Sequence, residues 1–310
     1  MPDTSHIQYF THREIDKKKW DDCIDKAENG VIYACSFYLE HMSPGWDGLV
    51  LGDYEAVMPL TWKKKYGIHY LYQPFLTAQS GVFGKNITAH LVNDFIQALP
   101  AKFKLIEISL NSGNTFSNLP EFSILKKNYV LDLNKPYEEL QQAYSDNIKR
   151  NIKKANQAGC TVQTDFAVEK VIGLALKQMS SYHKESNQNV ERFSKLYQFL
   201  HARQMATTYG ILNNQQELVA SCVFFFSHNR AYYILVGNHP DGKTIGASHA
   251  LIDAFIKDHA GKNMLLDFEG SDIPNLALFY SSFGAMEEKY PALRINRLPF
   301  YLKWMKRDSS

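Results

Sequence analysis

The chain repeats itself. Setting each residue beside the one 160 positions later aligns FIQALPAKFKLIEISLN (95–111) with FIKDHAGKNMLLDFEGS (255–271), matching Phe95 to Phe255, Lys102 to Lys262, Leu105 to Leu265 and Glu107 to Asp267. Upstream, with small changes of offset, GLVLGDYEAVMPLTWKKKYGIHYLYQP (48–74) resembles GILNNQQELVASCVFFFSHNRAYYILVGNHP (210–240). Each reads as strand, turn, strand, turn, strand, because β-branched and aromatic runs are punctuated by Gly-Asp, Asn-Asn and Ser-His-Asn-Arg turn chemistry. After each comes a helix and a further strand. Chance identities arise readily in amphipathic helices followed by apolar strands, but here element order and spacing agree as well. The expectation is two α/β domains of one architecture, with mixed, largely antiparallel sheets flanked by helices. The boundary is expected between Asn128 and Lys135, giving an N-terminal domain over 1–130 and a C-terminal domain over 131–310.

A length of 310 residues holds two medium domains, and 45% hydrophobic with 21% charged residues is an ordinary globular composition. A formal net charge of +2 gives no bulk electrostatic argument for DNA or a membrane, so any basic site has to be local. Cys23, Cys35, Cys160 and Cys222 are scattered without a C-x-x-C pair, and the histidines stand singly, so no metal centre is expected and the thiols read as reduced. The start, MPDTSHIQYF, lacks the basic-then-apolar order of a signal peptide, and the apolar run LVASCVFFF is far below membrane-spanning length. A soluble, cytoplasmic protein is the expectation.

Between the copies, YEELQQAYSDNIKRNIKKANQAG (137–159) predicts one long helix from Pro136 to Gly159. Leu140, Tyr144, Ile148 and Ile152 share one face; Lys149, Arg150, Lys153 and Lys154 fall on the opposite arc. That arc is either a solvated face or a docking surface for an anionic ligand, a nucleotide phosphate or an RNA end. Lys149 and Arg150 are therefore substrate-binding candidates. So are Lys63 and Lys64 in WKKKYG (62–67), which reads equally as a solvated hairpin. Further helices are expected over 169–185 and 193–208, joined by the polar loop SNQNVER.

Two later stretches carry chemistry. HPDGKTIGASHALIDAFI (239–256) turns at Pro-Asp-Gly, straightens, and starts a helix at Ala247. Gly246 permits close backbone approach, the helix start with Ser248 offers N–H groups to phosphate oxygens, and Lys243 adds charge. LLDFEGSDIPNLALFYSSFGA (265–285) sets Glu269 at a strand end and Tyr280 one helix later, with Asp272 as the expected N-cap. Tyr280 is either a chemical group or a core aromatic; Glu269 is either a base or a strand-end carboxylate. The chain contains no G-x-S-x-G, H-E-x-x-H or full Walker loop.

A meander, a glycine-bearing turn into a helix, another strand and a helix ending in tyrosine and glycine together resemble the GNAT acyltransferase fold. The family's pyrophosphate loop, Gln/Arg-x-x-Gly-x-Gly/Ala, is similar to Lys243-Thr-Ile-Gly246-Ala-Ser248, with the lysine and serine as departures. Its Leu-Tyr-x-x-x-Gly-Phe segment is similar to Phe279-Tyr280-Ser-Ser-Phe-Gly284-Ala285. Two such domains in tandem, with N-I-K-R-N-I-K-K-A-x-x-A-G opening the second, resemble the Fem (FemABX) aminoacyltransferases; the long coiled-coil arm of some members has no counterpart. The resemblance implies an N-acyltransferase that uses acyl-CoA and an amine acceptor, or aminoacyl-tRNA and a peptidoglycan precursor. It implies that Tyr280 protonates the leaving group, that Glu269 takes the amine proton, and that Lys243, Thr244, Gly246, Ala247 and Ser248 bind the donor. Thr88 falls where Gly246 would be and the first copy lacks FYSSFGA, so the donor is expected in the second domain and acceptor binding or support in the first. A catalytically silent binding module for a nucleotide-sugar is the third expectation.

Overall fold

The expected order of meander, helix and strand occurs twice in the computed structural model, which describes residues 7–179, 185–270 and 272–299. The chain divides into two units, one formed by residues up to Lys126 with those from Lys289 on, the other by Lys127–Glu288. The first contains β1 (Ile7–Phe10), α1 (Lys17–Lys26), α2 (Ser36–Met42), β2 (Asp47–Leu51), β3 (Ala56–Leu60), β4 (Trp62–Lys65), β5 (Ile68–Leu71), β6 (Phe83–Gly84), α3 (Ala89–Gln97) and β7 (Phe103–Ser109). Through β8 (Ser123–Asp132) the chain enters the second unit, with α4 (Tyr137–Gln142), α5 (Asp146–Gln157), β9 (Thr161–Thr164), α6 (Val168–Met179) and α7 (Asn187–His201). There follow β10 (Ala206–Leu212), β11 (Leu218–Ser227), β12 (Arg230–Asn238), α8 (Pro240–Ile245), α9 (Ala247–His259), β13 (Leu265–Asp267) and α10 (Pro274–Ser281). Finally β14 (Met286–Asn296) returns to the first unit, where Ala292 to Asn296 pair with β7. The sequence predicts 131–310 as one domain, whereas the residues from Lys289 on group with the first unit because of that pairing.

In the second unit the hydrogen-bonded order is β8-β13-β12-β11-β10-β9. Its central strands are buried along most of their length because both faces are covered. Alternation along β11 shows this directly: Phe224 stacks on Phe255 of α9 at 3.6 Å, and the next residue, Phe225, stacks on Phe193 of α7 at 5.7 Å. One core joins Ile148 and Ala155 of α5, Phe255 of α9 and Tyr280 of α10 to Tyr209, Phe224 and Tyr233 of the sheet. The β11–β12 hairpin turns at His228 and Asn229, both at φ +52°, the left-handed pair that matches strand twist.

In the first unit β1, β2, β3 and β6 form one sheet, while β4 and β5 pair with each other and β5 pairs in parallel with β7. The meander expected over 48–74 is thus divided between two ladders. The chain leaves one for the other at Thr61, whose Oγ1 donates to Tyr72 O at 2.6 Å while Tyr72 N donates to Thr61 O at 3.0 Å. The repeat survives in register all the same. Tyr70 pairs with Leu105 and Leu71 with Ile106; at the 160-residue offset Arg230 pairs with Leu265 and Ala231 with Leu266.

Four further expectations need correction. The helix over 137–159 is two helices, because Ser145 caps α5, accepting from Ile148 N at 3.5 Å, and its own N–H donates to Ser282 O at 2.9 Å. It does stop at Gly159, in the left-handed conformation at φ +72°. The SNQNVER segment is mostly helix: Ser186 caps α7, which ends at His201, and 206–208 belong to β10. Residues 240–245 form α8 rather than an extended run. Asp272 does not cap α10, whose N-cap is Ile273; its Oδ1 accepts from Lys127 N at 3.2 Å.

Candidate active site

β12 and β13 run parallel for only three pairs, ending at Tyr232–Asp267. β12 continues to Asn238, but Phe268 turns the other way, donating its N–H to Tyr129 O at 3.0 Å alongside β8. The sheet splits there, at the carboxyl ends of two parallel strands, where open α/β sheets hold ligands. A bulge accompanies the split: Ser221 pairs with Gly237 and Val223 with Ile234, so Leu235 and Val236 together oppose Cys222, and Leu235 has φ +48°. A bulge bends its strand and increases local twist, which carries the end of β12 away from β13.

Tyr280 lies at this split. It is 8% exposed, stacks on Phe268 at 4.6 Å and meets Tyr233 edge-on at 6.4 Å. Burial, and then the Glu269 carboxylate, push its phenol up to about 12, so it is protonated at neutral pH. Glu269 is half-buried and left-handed at φ +65°, followed by Gly270 at φ +82°. Asp267 holds that turn, its Oδ1 accepting from Glu269 N at 2.8 Å. Asp267 is in turn gripped by Arg230 at 2.6 Å, and Arg230 reaches Glu288 at 3.3 Å. Burial opposes the guanidinium charge; Asp267 and Glu288 more than offset it. Glu269 thus acts on Tyr280 through its charge, and a buried ion network fixes the strand end from which Glu269 follows.

The donor-loop residues are placed differently from expectation. Gly246 ends α8 and starts α9 at φ +80°, and a Cβ there would lie 2.5 Å from Asn151 O of α5. Backbone conformation and helix packing alone already require a glycine there. Ala247 is wholly buried, whereas Ser248, next in the expected backbone cradle, is half-buried. Lys243 and Thr244 are exposed on α8, with Thr244 Oγ1 donating to Asp241 O at 2.7 Å. Ser248 donates its hydroxyl to Asn238 Oδ1. The neighbouring His249 was not singled out from sequence, since a lone histidine carries no motif. It packs edge-on against Phe279 of α10 at 4.9 Å, its Nδ1 is buried without a hydrogen-bond partner, and burial lowers it to about 4.

Lys149 lines a concavity of about 550 Å³ with Gln141, Ile152, Lys153, Asn156 and Gln157. These α5 residues recur at helical spacing along one stripe. Lys149 Nζ donates to Gln142 O at 3.3 Å; Arg150 lies beside the stripe and donates to Asn147 Oδ1 at 2.7 Å. Lys63 and Lys64 belong to the β4–β5 hairpin of the first unit, Lys63 over the Tyr72 ring at 4.2 Å.

The corresponding place in the first unit is stitched shut. Beyond Leu71–Ile106, Ser109 N donates to Gln73 Oε1 at 2.9 Å, and Ser80 N donates to Ser109 O at 2.8 Å. Residues of the chain itself fill the position that stays split between β12 and β13. Among the described residues, no group of three or more His, Cys, Asp or Glu is placed to hold a metal ion, and no helix is long and apolar enough to cross a membrane.

No family model matches the sequence. No curated protein matches it either. Solved structures do. FemX superposes with a TM-score of 0.62 over 96% of this chain and 99% of that one, at 13% identity. A Bacteroides thetaiotaomicron protein of unknown function gives 0.57 over 90% and 96%, also at 13% identity. The C-terminal domain of an Agrobacterium fabrum protein described as a candidate lysylphosphatidylglycerol synthetase gives 0.57 over 94% of each chain at 8% identity. The chain has the fold of FemX, a Fem-like fold of the GNAT type.

Proposed function

We propose that this Fem-like fold carries an N-acyltransferase, with the transfer taking place at the β12–β13 split of the second unit. One observation supports it above others: the parallel pair ends at Tyr232–Asp267 with Tyr280 at the split and the Glu269 carboxylate close enough to raise its pKa. An amine attacks the donor carbonyl; the C–N bond forms as the bond to the leaving sulfur or oxygen breaks. Glu269 takes the ammonium proton, directly or through water, and Tyr280 gives its proton to the leaving group. The stitched strands of the first unit favour a single transfer site, leaving that unit for acceptor binding or support.

Acyl-CoA is the donor that the motif resemblance implies, but two observations favour an ester donor such as aminoacyl-tRNA, with a peptidoglycan precursor or another amine as acceptor. The start of α9 is buried at Gly246 and Ala247, leaving the half-buried Ser248 and His249 as the part of its first turn that a pyrophosphate could meet. Tyr280 near 12 is also a poor match for a thiolate of pKa about 8.5 and a better one for a more basic alkoxide. On this reading Lys149 and Arg150 meet anionic groups of donor or acceptor, and the protein works in the cytoplasm. Turnover with acetyl-CoA and with aminoacyl-tRNA, each against a panel of amines, tests this. Transfer from the ester, with little or none from the thioester, is expected. Ligand binding without transfer from either donor would favour a silent nucleotide-sugar module.

A further inference from the structure

Helices α5 and α10 lie on the same face of the second unit's sheet, since Ile148 and Ala155 of one and Tyr280 of the other enter one core. They meet end to end through Ser145 N and Ser282 O at 2.9 Å, and a Cβ on Gly284 would sit 2.9 Å from that of Ala143. With their inner faces on one sheet, their outer faces look out on the same side. The outer face of α5 carries Lys149, Arg150, Lys153 and Lys154, all exposed, against Asp146 as the carboxylate of that helix. On the preceding helix Glu139 is paired with Lys135 at 3.0 Å, beside Glu138. On α10, Leu278 stands about 200° around from the buried Tyr280 and is 67% exposed. Ile273, the N-cap of the helix, is 60% exposed, and Met286, which opens β14 five residues beyond the helix, 72%.

We propose that this side of the second unit docks on an anionic phospholipid surface. Leu278 enters the boundary between headgroups and acyl chains, with the exposed Ile273 and Met286 flanking its helix, and Lys153 and Lys154 meet the headgroups, the combination of apolar and basic side chains that holds peripheral helices at a bilayer. RNA would satisfy the basic face but would leave these aliphatic side chains in water without a role. The docking is independent of the acyl donor.

Sedimentation of the full chain with phosphatidylcholine vesicles, with and without phosphatidylglycerol, tests the proposal. The chain is expected to pellet with the anionic vesicles and not with phosphatidylcholine alone, less so at high salt. Reversing charge in Lys153→Glu/Lys154→Glu should lower the partition coefficient by about tenfold or more. Leu278→Asp should lower it as well, both variants melting like the native chain. Absence of retention, or retention that neither substitution changes, overturns the proposal. Retention kept in Leu278→Asp but lost in the double variant, together with tight binding of a single-stranded RNA, overturns it in favour of nucleic acid.

Discussion

His249 is a half-buried base, its Nδ1 wholly covered, that pays for its place in a way that pH can read. Burial lowers it from 6.5 to about 4, so between those values the unfolded chain binds a proton that the folded chain refuses. The stability is fully present above the ordinary value and is lost as pH falls through the folded one. His249→Gln should therefore show a shallower loss of stability on acidification across that window, measured as urea midpoints. Parallel curves for the two proteins would contradict the burial argument. Gly246 gives a second residue-scale test. Because its φ is +80° and a Cβ would meet Asn151 O at 2.5 Å, Gly246→Ala should cost roughly 1–3 kcal/mol in the absence of any ligand. Lys243→Ala, on an exposed side chain, should leave stability unchanged. A stable Gly246→Ala protein in denaturant titrations would return that glycine to a ligand-facing role.

At the scale of elements, the β12–β13 pair depends on charge buried along it, from Arg230 at its closed end to Asp267 at the split. Arg230 bonds Asp267 and Glu288 while itself 14% exposed, and removing it leaves a carboxylate at 3% exposure without that partner. Arg230→Met should cost about 3–5 kcal/mol, and Asp267→Leu added to it should recover part of the loss. Chemical denaturation of the single and double variants measures this; additive losses would show that the network is not coupled. Much of the surrounding order was legible in the sequence. The start of α9 at Ala247 follows from Gly246 and the apolar spacing of Leu251 and Phe255, and Glu269 and Tyr280 are found at the strand end and helix where the pattern puts them. The break at 143–145 was not legible, because the face formed by Leu140, Tyr144 and Ile148 runs straight through it; the available signal was Ser145 with Asp146 in the first turn. α8 escaped because Pro-Asp-Gly reads as a turn and six residues are too few to show a period. The bulge at Leu235 has no glycine or turn residue to announce it in YYILV, and its left-handed residue is imposed by the ladder.

At the scale of the molecule, the two units share an order of elements and an in-register parallel pair, yet differ where chemistry is proposed. In the first, Gln73 and Ser80 close the ladder onto Ser109; in the second, Phe268 turns away from β12 and Tyr280 occupies the split. Duplication followed by closure of one copy accounts for both facts, and it is the ground on which transfer is proposed for the second unit. The most direct test is turnover of Tyr280→Phe, with an ester and a thioester donor, measured beside its melting temperature. The phenylalanine keeps the stacking on Phe268 and removes the proton, so kcat should fall by roughly 10²–10⁴ with the ester donor and the melting temperature should stay near native. Turnover and melting temperature both near native would contradict the acid role and, with it, the placement of transfer at this split.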